Sequence, residues 1–210
     1  MIYHALGNVG LGKTAWASLY AKQFSELNPN SNIYANYHLN LKNFVYTPFM
    51  FLPFSKLDKA LIIADDFYAL KNVKGFTATC VNLSRKASLD IILTGQYYTM
   101  IPKEIRTLSN EVRPFLDKIT EKLYSVIMTP DNECSNYVIK DVFTKMKGLY
   151  NTNEIVKFNR LDNIANEIIK HSNDLDDLLN NIELYAQSQT KTNQMLKLIK
   201  SIPKSSRFFQ

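Results

Sequence analysis

Short, continuously apolar runs alternate with a stretch of helical periodicity in the first half of the chain. The runs at residues 2–6, 60–64 and 89–94 contain few polar positions, which is typical of strands buried on both faces of a parallel sheet. Residues 13–27 instead have apolar side chains at helical spacing, and Asn28-Pro29-Asn30 ends them. Strands that alternate with helices predict an α/β fold with a central, mostly parallel sheet flanked by helices.

Weaker patterns extend this prediction. The further predicted elements are strands at residues 32–37, 123–129 and 136–142, a helix at 76–84, and a short helix at 102–108 that begins with Pro102. The last two strands are predicted to pair across the turn at residues 130–133. Residues 39–54 are aromatic and irregular and allow no assignment.

A second helical pattern begins near residue 160. Apolar side chains share a helical face over residues 161–169, and others share a face over residues 175–182. Aspartates lie in the first turn of the second segment, where the helix dipole favours them. We therefore predict a core domain at residues 1–150, followed by a C-terminal helical appendage and basic tail at residues 151–210.

The first apolar run leads into a glycine-rich segment with the pattern G-x-x-x-x-G-K-[ST]. This segment is Gly7-Asn8-Val9-Gly10-Leu11-Gly12-Lys13-Thr14, with Ala15 next. Glycines let successive backbone N–H groups converge on phosphate oxygens, and the following helix N-terminus also favours an anion. Lys13 is predicted to reach the β- and γ-phosphates, and Thr14 to ligate Mg²⁺. Because the segment lies between a predicted strand and a predicted helix, we expect the chain to bind ATP with Mg²⁺ and to hydrolyse it.

Polar side chains follow two later apolar runs. Asp65 and Asp66 come directly after residues 60–64, where ligands bind at the carboxyl ends of parallel strands. Asp65 is predicted to hold Mg²⁺, and Asp66 to act as general base towards the attacking water; alternatively, the two carboxylates only cap a loop. Gln96 comes two positions after the run at residues 89–94 and is predicted to sense the γ-phosphate.

Arg85 precedes the same run. Arginine is suited to neutralising the charge that develops on a transferred phosphoryl group. The start of a strand lies at the sheet edge opposite the phosphate loop of its own subunit, so Arg85 is predicted to reach the nucleotide of a neighbouring subunit in a ring. The alternative is a solvated arginine beside Lys86.

Composition limits the other functional classes. The chain has 210 residues, of which 46% are hydrophobic and 21% charged, which is ordinary for a globular protein. No apolar run is long enough to span a bilayer and the N-terminus lacks a signal-peptide pattern, so we expect a cytoplasmic protein without stable membrane insertion. The net charge of +6 favours polyanionic partners only slightly. Neither cysteine has metal-ligand spacing, so a zinc site is not expected.

Residues 85–96, with the sequence RKASLDIILTGQ, resemble part of the FtsK/HerA-type DNA-pumping ATPases. In that family an arginine precedes a strand that ends in glutamine. Residues 101–106 resemble the helix that follows in viral and archaeal members. Residues 36–41 and 61–66 are similar to segments of filamentous-phage assembly ATPases of the zonular-toxin type. The resemblance covers about residues 1–130, and its arginine–strand–glutamine part is the specific one.

The resemblance implies a five-stranded RecA-like core, a hexameric or similar ring, and force applied to double-stranded DNA in a central channel. It places Lys13 and Thr14 at the nucleotide, Asp65 and Asp66 at Mg²⁺ and water, Gln96 as sensor and Arg85 as trans-acting finger. Asp66 departs from the pattern, since glutamate is commoner there. The short chain resembles the genome-packaging ATPases of membrane-containing or archaeal viruses, which implies capsid or portal-vertex partners in a host cytoplasm.

The resemblance also implies DNA contacts by basic residues that face the channel. The candidates are Lys42, Lys71, Lys74, Lys103 and Arg106, and such contacts would be made mainly with phosphates. Three alternatives remain: an assembly or export ATPase for filamentous virions, a small-molecule nucleotide kinase, and a nucleotide-dependent scaffold without catalysis. The kinase is disfavoured because the five arginines are too scattered to predict a lid.

Overall fold

A computed structural model describes residues 1–47, 57–67, 84 and 88–151. Its elements in chain order are β1 (Ile2–Leu6), α1 (Lys13–Leu27), β2 (Ile33–Ala35), β3 (Phe44–Tyr46), β4 (Leu61–Ala64), β5 (Asp90–Gly95), a 3₁₀ turn (Tyr98–Met100), α2 (Lys103–Arg106), β6 (Asn110–Asp117), β7 (Lys122–Met128), β8 (Cys134–Ile139) and α3 (Val142–Met146). The predicted helix at residues 76–84 lies outside the described residues except for Ser84. So does the predicted C-terminal appendage beyond Asn151.

The eight described strands form one sheet in the order β3-β2-β4-β5-β1-β6-β7-β8. The first six strands of this order, from β3 through β2, β4, β5 and β1 to β6, pair in parallel. The pairs β6–β7 and β7–β8 are antiparallel. The predicted mostly parallel sheet is therefore confirmed, and it is larger than a five-stranded core. Because β1, β4 and β5 are parallel neighbours, their carboxyl ends lie at the same edge, where α1 begins.

Apolar side chains cover both faces of the sheet. On one face Ala5 of β1 packs in a cluster with Trp16 of α1. On the other face Leu6 packs in a cluster with Ile101 and Ile105. Successive strand residues point to opposite faces, and β1 and β4 are buried throughout. This burial on both faces explains why their sequences read as uninterrupted apolar runs.

Strands β3 and β6 were not predicted from the sequence. β3 has only three residues, all half-buried. β6 alternates buried and exposed residues and contains Pro114, which lies opposite Ser125 of β7; this proline obscures a strand pattern. The predicted pairing of the last two strands is confirmed, but the predicted end of the second at residue 142 is wrong. β8 ends at Ile139, and Val142 begins α3, where it is fully buried.

Among the described residues, no helix combines the length and the apolar character that crossing a bilayer requires.

Candidate nucleotide-binding site

The predicted phosphate loop connects β1 to α1. Gly10 and Gly12 have φ angles of 84° and 90°, which glycine adopts without strain. The chain enters α1 at Lys13, and Trp16 N donates to Gly12 O at 2.8 Å as the helix begins. The first turn contains no acidic side chain. The N–H groups at this helix start can therefore serve an anion without competition from a local carboxylate.

The hairpin formed by β6 and β7 packs against the loop. Leu116 N donates to Leu11 O at 3.1 Å. A Cβ atom added to Gly12 would lie 2.9 Å from Cδ1 of Leu123 and 3.0 Å from Cβ of Leu116. The loop pattern alone did not predict this packing, and a side chain at position 12 would force these leucines to shift.

The remaining loop positions differ in exposure. Val9 is 81% exposed at the tip of the loop, whereas Ala15 is buried in the first turn of α1. Asn8 and Gly10 are exposed, and Gly7 and Leu11 are half-buried.

Lys13 places its ammonium group inside the loop. Nζ donates to Gly7 O at 2.8 Å and to Asn8 O at 3.1 Å, and the residue is 8% exposed. Its charge lowers the pKa values of Asp65 and Asp66, although burial is the larger influence on both. A buried cation held by loop carbonyls fits the predicted role at the phosphates.

Asp65 lies directly after β4 and brings α1 and β5 together. Thr14 Oγ1 donates to Asp65 Oδ2 at 3.0 Å, and Thr94 Oγ1 donates to Oδ1 at 2.7 Å. Burial raises the pKa of the Asp65 carboxyl, and the hydrogen bonds from Thr94 and Thr14 oppose this rise. The donor set consists of a carboxylate and hydroxyl oxygens next to the start of a helix, which are the hard ligands that Mg²⁺ prefers. The residues present therefore fit a Mg²⁺ ion held by Thr14 and Asp65.

Asp66 has a different environment from Asp65. Its φ angle is 47°, a left-handed conformation that aspartate tolerates better than most residues. Its backbone N–H donates to Thr94 Oγ1 at 2.8 Å. Burial raises the pKa of its carboxyl, while the charge of Lys13 lowers it. A raised pKa moves a carboxylate towards the range useful for a general base, and this role stays a prediction.

Gln96 lies beside the phosphate loop. It directly follows β5, whose last residue Gly95 accepts a hydrogen bond from Gly7 N at 3.3 Å. The structure therefore places Lys13, Thr14, Asp65, Asp66 and Gln96 at one edge of the sheet. Their catalytic roles are not tested by this arrangement.

The structure describes only some of the predicted basic residues. Arg85, Lys71 and Lys74 lie outside the described residues, so their roles also stay predictions. Lys103 and Arg106 are on α2, where the Arg106 guanidinium lies 4.4 Å from the centre of the Tyr98 ring. The fifth basic residue, Lys42, is exposed in the turn before β3.

A buried polar cluster that was not predicted joins His4 of β1 to residues at the start of β6. Ser109 Oγ donates to Ile105 O at 2.6 Å, so it accepts a hydrogen bond from His4 Nδ1 at 2.7 Å. His4 Nε2 lies 3.5 Å from Glu111 Oε2, and Glu111 in turn accepts a hydrogen bond from Arg113. Burial lowers the pKa of His4, and the Glu111 carboxylate opposes this shift. The separation of His4 and Ser109 along the chain explains why no sequence motif marks this cluster.

Comparisons with known proteins identify the fold. No protein-family model matches the sequence, and no curated protein matches it. The structure is similar to the N-terminal domain of zonular occludens toxin from Neisseria meningitidis, with a TM-score of 0.52 and 14% identity over 71% of this chain and 98% of that domain. It also matches the genome packaging NTPase B204 from Sulfolobus turreted icosahedral virus 2, with a TM-score of 0.46 and 12% identity over 65% of this chain and 96% of that protein. The first similarity shows a shared fold, so the relationship predicted from the sequence is confirmed at the level of fold.

Proposed function

We propose that this chain is a Mg²⁺-dependent ATPase that acts as a ring oligomer to translocate double-stranded DNA, packaging a viral genome into a preformed capsid. The observation that supports ATP hydrolysis best is the contact of Thr14 with Asp65 at 3.0 Å. This contact joins the residue after the phosphate-loop lysine to the carboxylate at the end of β4. A glycine turn or a loop-capping aspartate pair does not require that arrangement.

The residues at this edge have complementary tasks in hydrolysis. The loop N–H groups and the Lys13 ammonium bind the phosphate oxygens. Thr14 and Asp65 hold Mg²⁺, which neutralises charge on the β- and γ-phosphate oxygens when bound. Asp66 accepts a proton from the water whose oxygen forms the new bond to the γ-phosphorus, while the bond to the β–γ bridging oxygen breaks. ADP and inorganic phosphate are the products.

The resemblance at residues 85–96 supports the ring and the DNA substrate of this proposal, and the direction of β5 is consistent with the ring. This strand starts at Asp90 and ends at Gly95, next to Gly7 of the phosphate loop. The start of β5 therefore lies at the edge of the sheet away from this loop. An arginine there would serve the nucleotide of a neighbouring subunit better than its own.

Steady-state ATP hydrolysis, measured with and without double-stranded DNA, tests the proposal. We expect turnover to rise several-fold with DNA and the stimulation to weaken with salt, because phosphate contacts release counterions. Lys13→Ala should remove turnover, and Lys22→Ala, on the same helix, serves as the matched control. A turnover rate that is the same with and without DNA would contradict a DNA motor and favour the virion-assembly ATPase. Turnover that requires a small phosphate acceptor would indicate the kinase.

Mixing inactive variants tests the ring separately. Arg85→Ala and Lys13→Ala subunits should each be inactive alone. Mixed at equal amounts, about a quarter of the head-to-tail interfaces of a ring combine an intact loop with an intact arginine, and activity should reappear in that proportion. Lys86→Ala is the matched control and should be active alone. No recovery at any mixing ratio, under conditions where subunits exchange, would contradict an arginine that acts in trans.

A further inference from the structure

Asn36 makes a pair of hydrogen bonds to the main chain of Asp65. Its Nδ2 donates to Asp65 O at 2.8 Å, and its Oδ1 accepts from Asp65 N at 2.8 Å. Asn36 is 0% exposed. The amide group thus acts both as a donor and as an acceptor towards one residue, which directly follows β4.

This pair continues the sheet beyond the end of its ladder. β2 ends at Ala35, which lies opposite Ile63 of β4. At Asp65 the side chain of Asn36 takes the place that a neighbouring backbone would occupy. Without it, the buried N–H and C=O of Asp65 would lose these hydrogen-bond partners, which is unfavourable for backbone polar groups.

The hydrogen bonds from Asn36 to the Asp65 main chain are important because the Asp65 side chain belongs to the candidate Mg²⁺ site. The Asp65 carboxylate accepts hydrogen bonds from Thr14 and Thr94, while the next residue turns sharply with φ at 47°. The main chain of Asp65 therefore lies between a regular strand and a left-handed turn. Asn36 fixes the main chain there, and Thr94 fixes the carboxylate.

We propose that Asn36 is a positioning residue for Mg²⁺: it holds Asp65 where its carboxylate can bind the metal, without itself touching metal or nucleotide. This rests on the Mg²⁺–nucleotide part of the proposed function and is independent of DNA. Residues that orient metal ligands by hydrogen bonds commonly change metal affinity by about 10- to 100-fold when removed. A purely structural role for Asn36 would change folding stability but not the metal dependence of the folded protein.

The test uses the full chain, a slowly hydrolysed ATP analogue and a titration with Mg²⁺. Trp16 is the single tryptophan and lies in the first turns of α1, so its fluorescence reports binding at the adjacent loop. We expect Asn36→Leu to raise the Mg²⁺ concentration for half-saturation by about 10-fold or more. The affinity for the analogue in EDTA should stay within about twofold of the parent, since the loop itself is unchanged.

Asn43→Leu is the matched control. The Asn43 amide also bridges two partners, accepting from Ser25 Oγ at 2.8 Å and donating to Ser31 O. Asn43 directly precedes β3, at the opposite edge of the parallel strands from Asp65. Its loss should lower stability and leave the Mg²⁺ half-saturation unchanged.

Asn36→Ala provides a second reading if the leucine variant does not fold, because it removes the amide without adding bulk to a buried site. The same rise in Mg²⁺ half-saturation is expected. An unchanged half-saturation in a folded Asn36 variant, or an equal weakening of the analogue with and without metal, would overturn the positioning role. If the parent binds Mg²⁺ and nucleotide but its ATP hydrolysis does not respond to DNA, the DNA motor is contradicted and the role of Asn36 is unaffected. If the nucleotide affinity of the parent does not depend on Mg²⁺, both the Mg²⁺-dependent ATPase and the role of Asn36 are contradicted.

Discussion

The packing of the β6–β7 hairpin against the phosphate loop makes position 12 the most sensitive glycine of the loop. Gly12→Ala places a methyl group 2.9 Å from Leu123 Cδ1 and 3.0 Å from Leu116 Cβ. It also puts alanine at a φ of 90°, whereas Gly10 has a φ of 84° with nothing within 4 Å of an added Cβ. Gly10→Ala therefore shares the backbone strain of Gly12→Ala and lacks its steric contact.

The two terms can be estimated separately. A left-handed backbone costs a non-glycine residue about 1–2 kcal/mol, and this applies to both variants. Overpacking at a tight contact adds about 1–3 kcal/mol, and this applies to Gly12→Ala only. The reduced freedom of the unfolded chain offsets about 0.4–1 kcal/mol in both variants, so it cancels in the comparison. We expect Gly12→Ala to lower the free energy of unfolding by about 1–3 kcal/mol more than Gly10→Ala does.

Urea unfolding without nucleotide, followed by Trp16 fluorescence and circular dichroism, measures this difference. A double-mutant cycle then locates its cause, because Leu123→Val removes the Cδ1 atom that the new methyl group meets. Leu123→Val should destabilise the parent more than it destabilises Gly12→Ala, with a coupling of about 0.5–3 kcal/mol. Equal effects of the two glycine variants within about 0.5 kcal/mol, or strict additivity in the cycle, would refute hairpin packing as the reason for glycine at position 12.

Three further predictions concern single side chains. Thr14→Val keeps the branched shape and loses the hydroxyl that contacts Asp65; the Mg²⁺ concentration for half-maximal ATP hydrolysis should rise by about 10-fold or more, and an unchanged value would remove Thr14 from the metal site. Asp66→Asn should lower kcat by about 10²–10⁴-fold as expected for loss of a general base, with analogue affinity unchanged in a binding titration; a near-normal kcat would exclude Asp66 as that base. Burial lowers the pKa of His4. Below a pH of about 6.5 the unfolded chain therefore binds a proton that the folded chain excludes. The free energy of unfolding should thus fall as the pH is lowered below this value. In urea unfolding at several pH values, His4→Asn, which retains a donor near Ser109, should show a shallower loss in acid, by at most about 1.4 kcal/mol per pH unit; parallel pH profiles of the two proteins would contradict this.

Local patterns in the sequence determined the elements that carry the site. The apolar runs of β1, β4 and β5 and the periodicity of α1 were sufficient because these elements are buried in ways that leave a continuous signal along the chain. The bounds predicted for α1 match those observed, since Asn28 and Pro29 end the helix locally. The glycine-rich loop, Asp65, Asp66 and Gln96 could also be proposed in advance as one candidate site, because each adjoins a predicted strand or helix that ends or begins at the same edge of the sheet.

Strands β3 and β6 could not be predicted in the same way. β6 carries Pro114 and polar residues on one face, and β3 is only three residues long. Their strand conformation depends on neighbours in the sheet rather than on their own residue preferences. The predicted role of Arg85 would likewise depend on contacts between chains, which local sequence does not describe.

Contacts between distant residues were decided by the tertiary structure alone. The Asn36 amide meets the Asp65 main chain across 29 residues, and His4 meets Ser109 across 105. Gly12 is confined by leucines that lie more than a hundred positions further along the chain. A motif records which chemical groups are present at one point in the chain. Whether these groups are hydrogen-bonded, buried or in steric contact depends on which strands become neighbours. The strand order brings together residues that no local pattern connects.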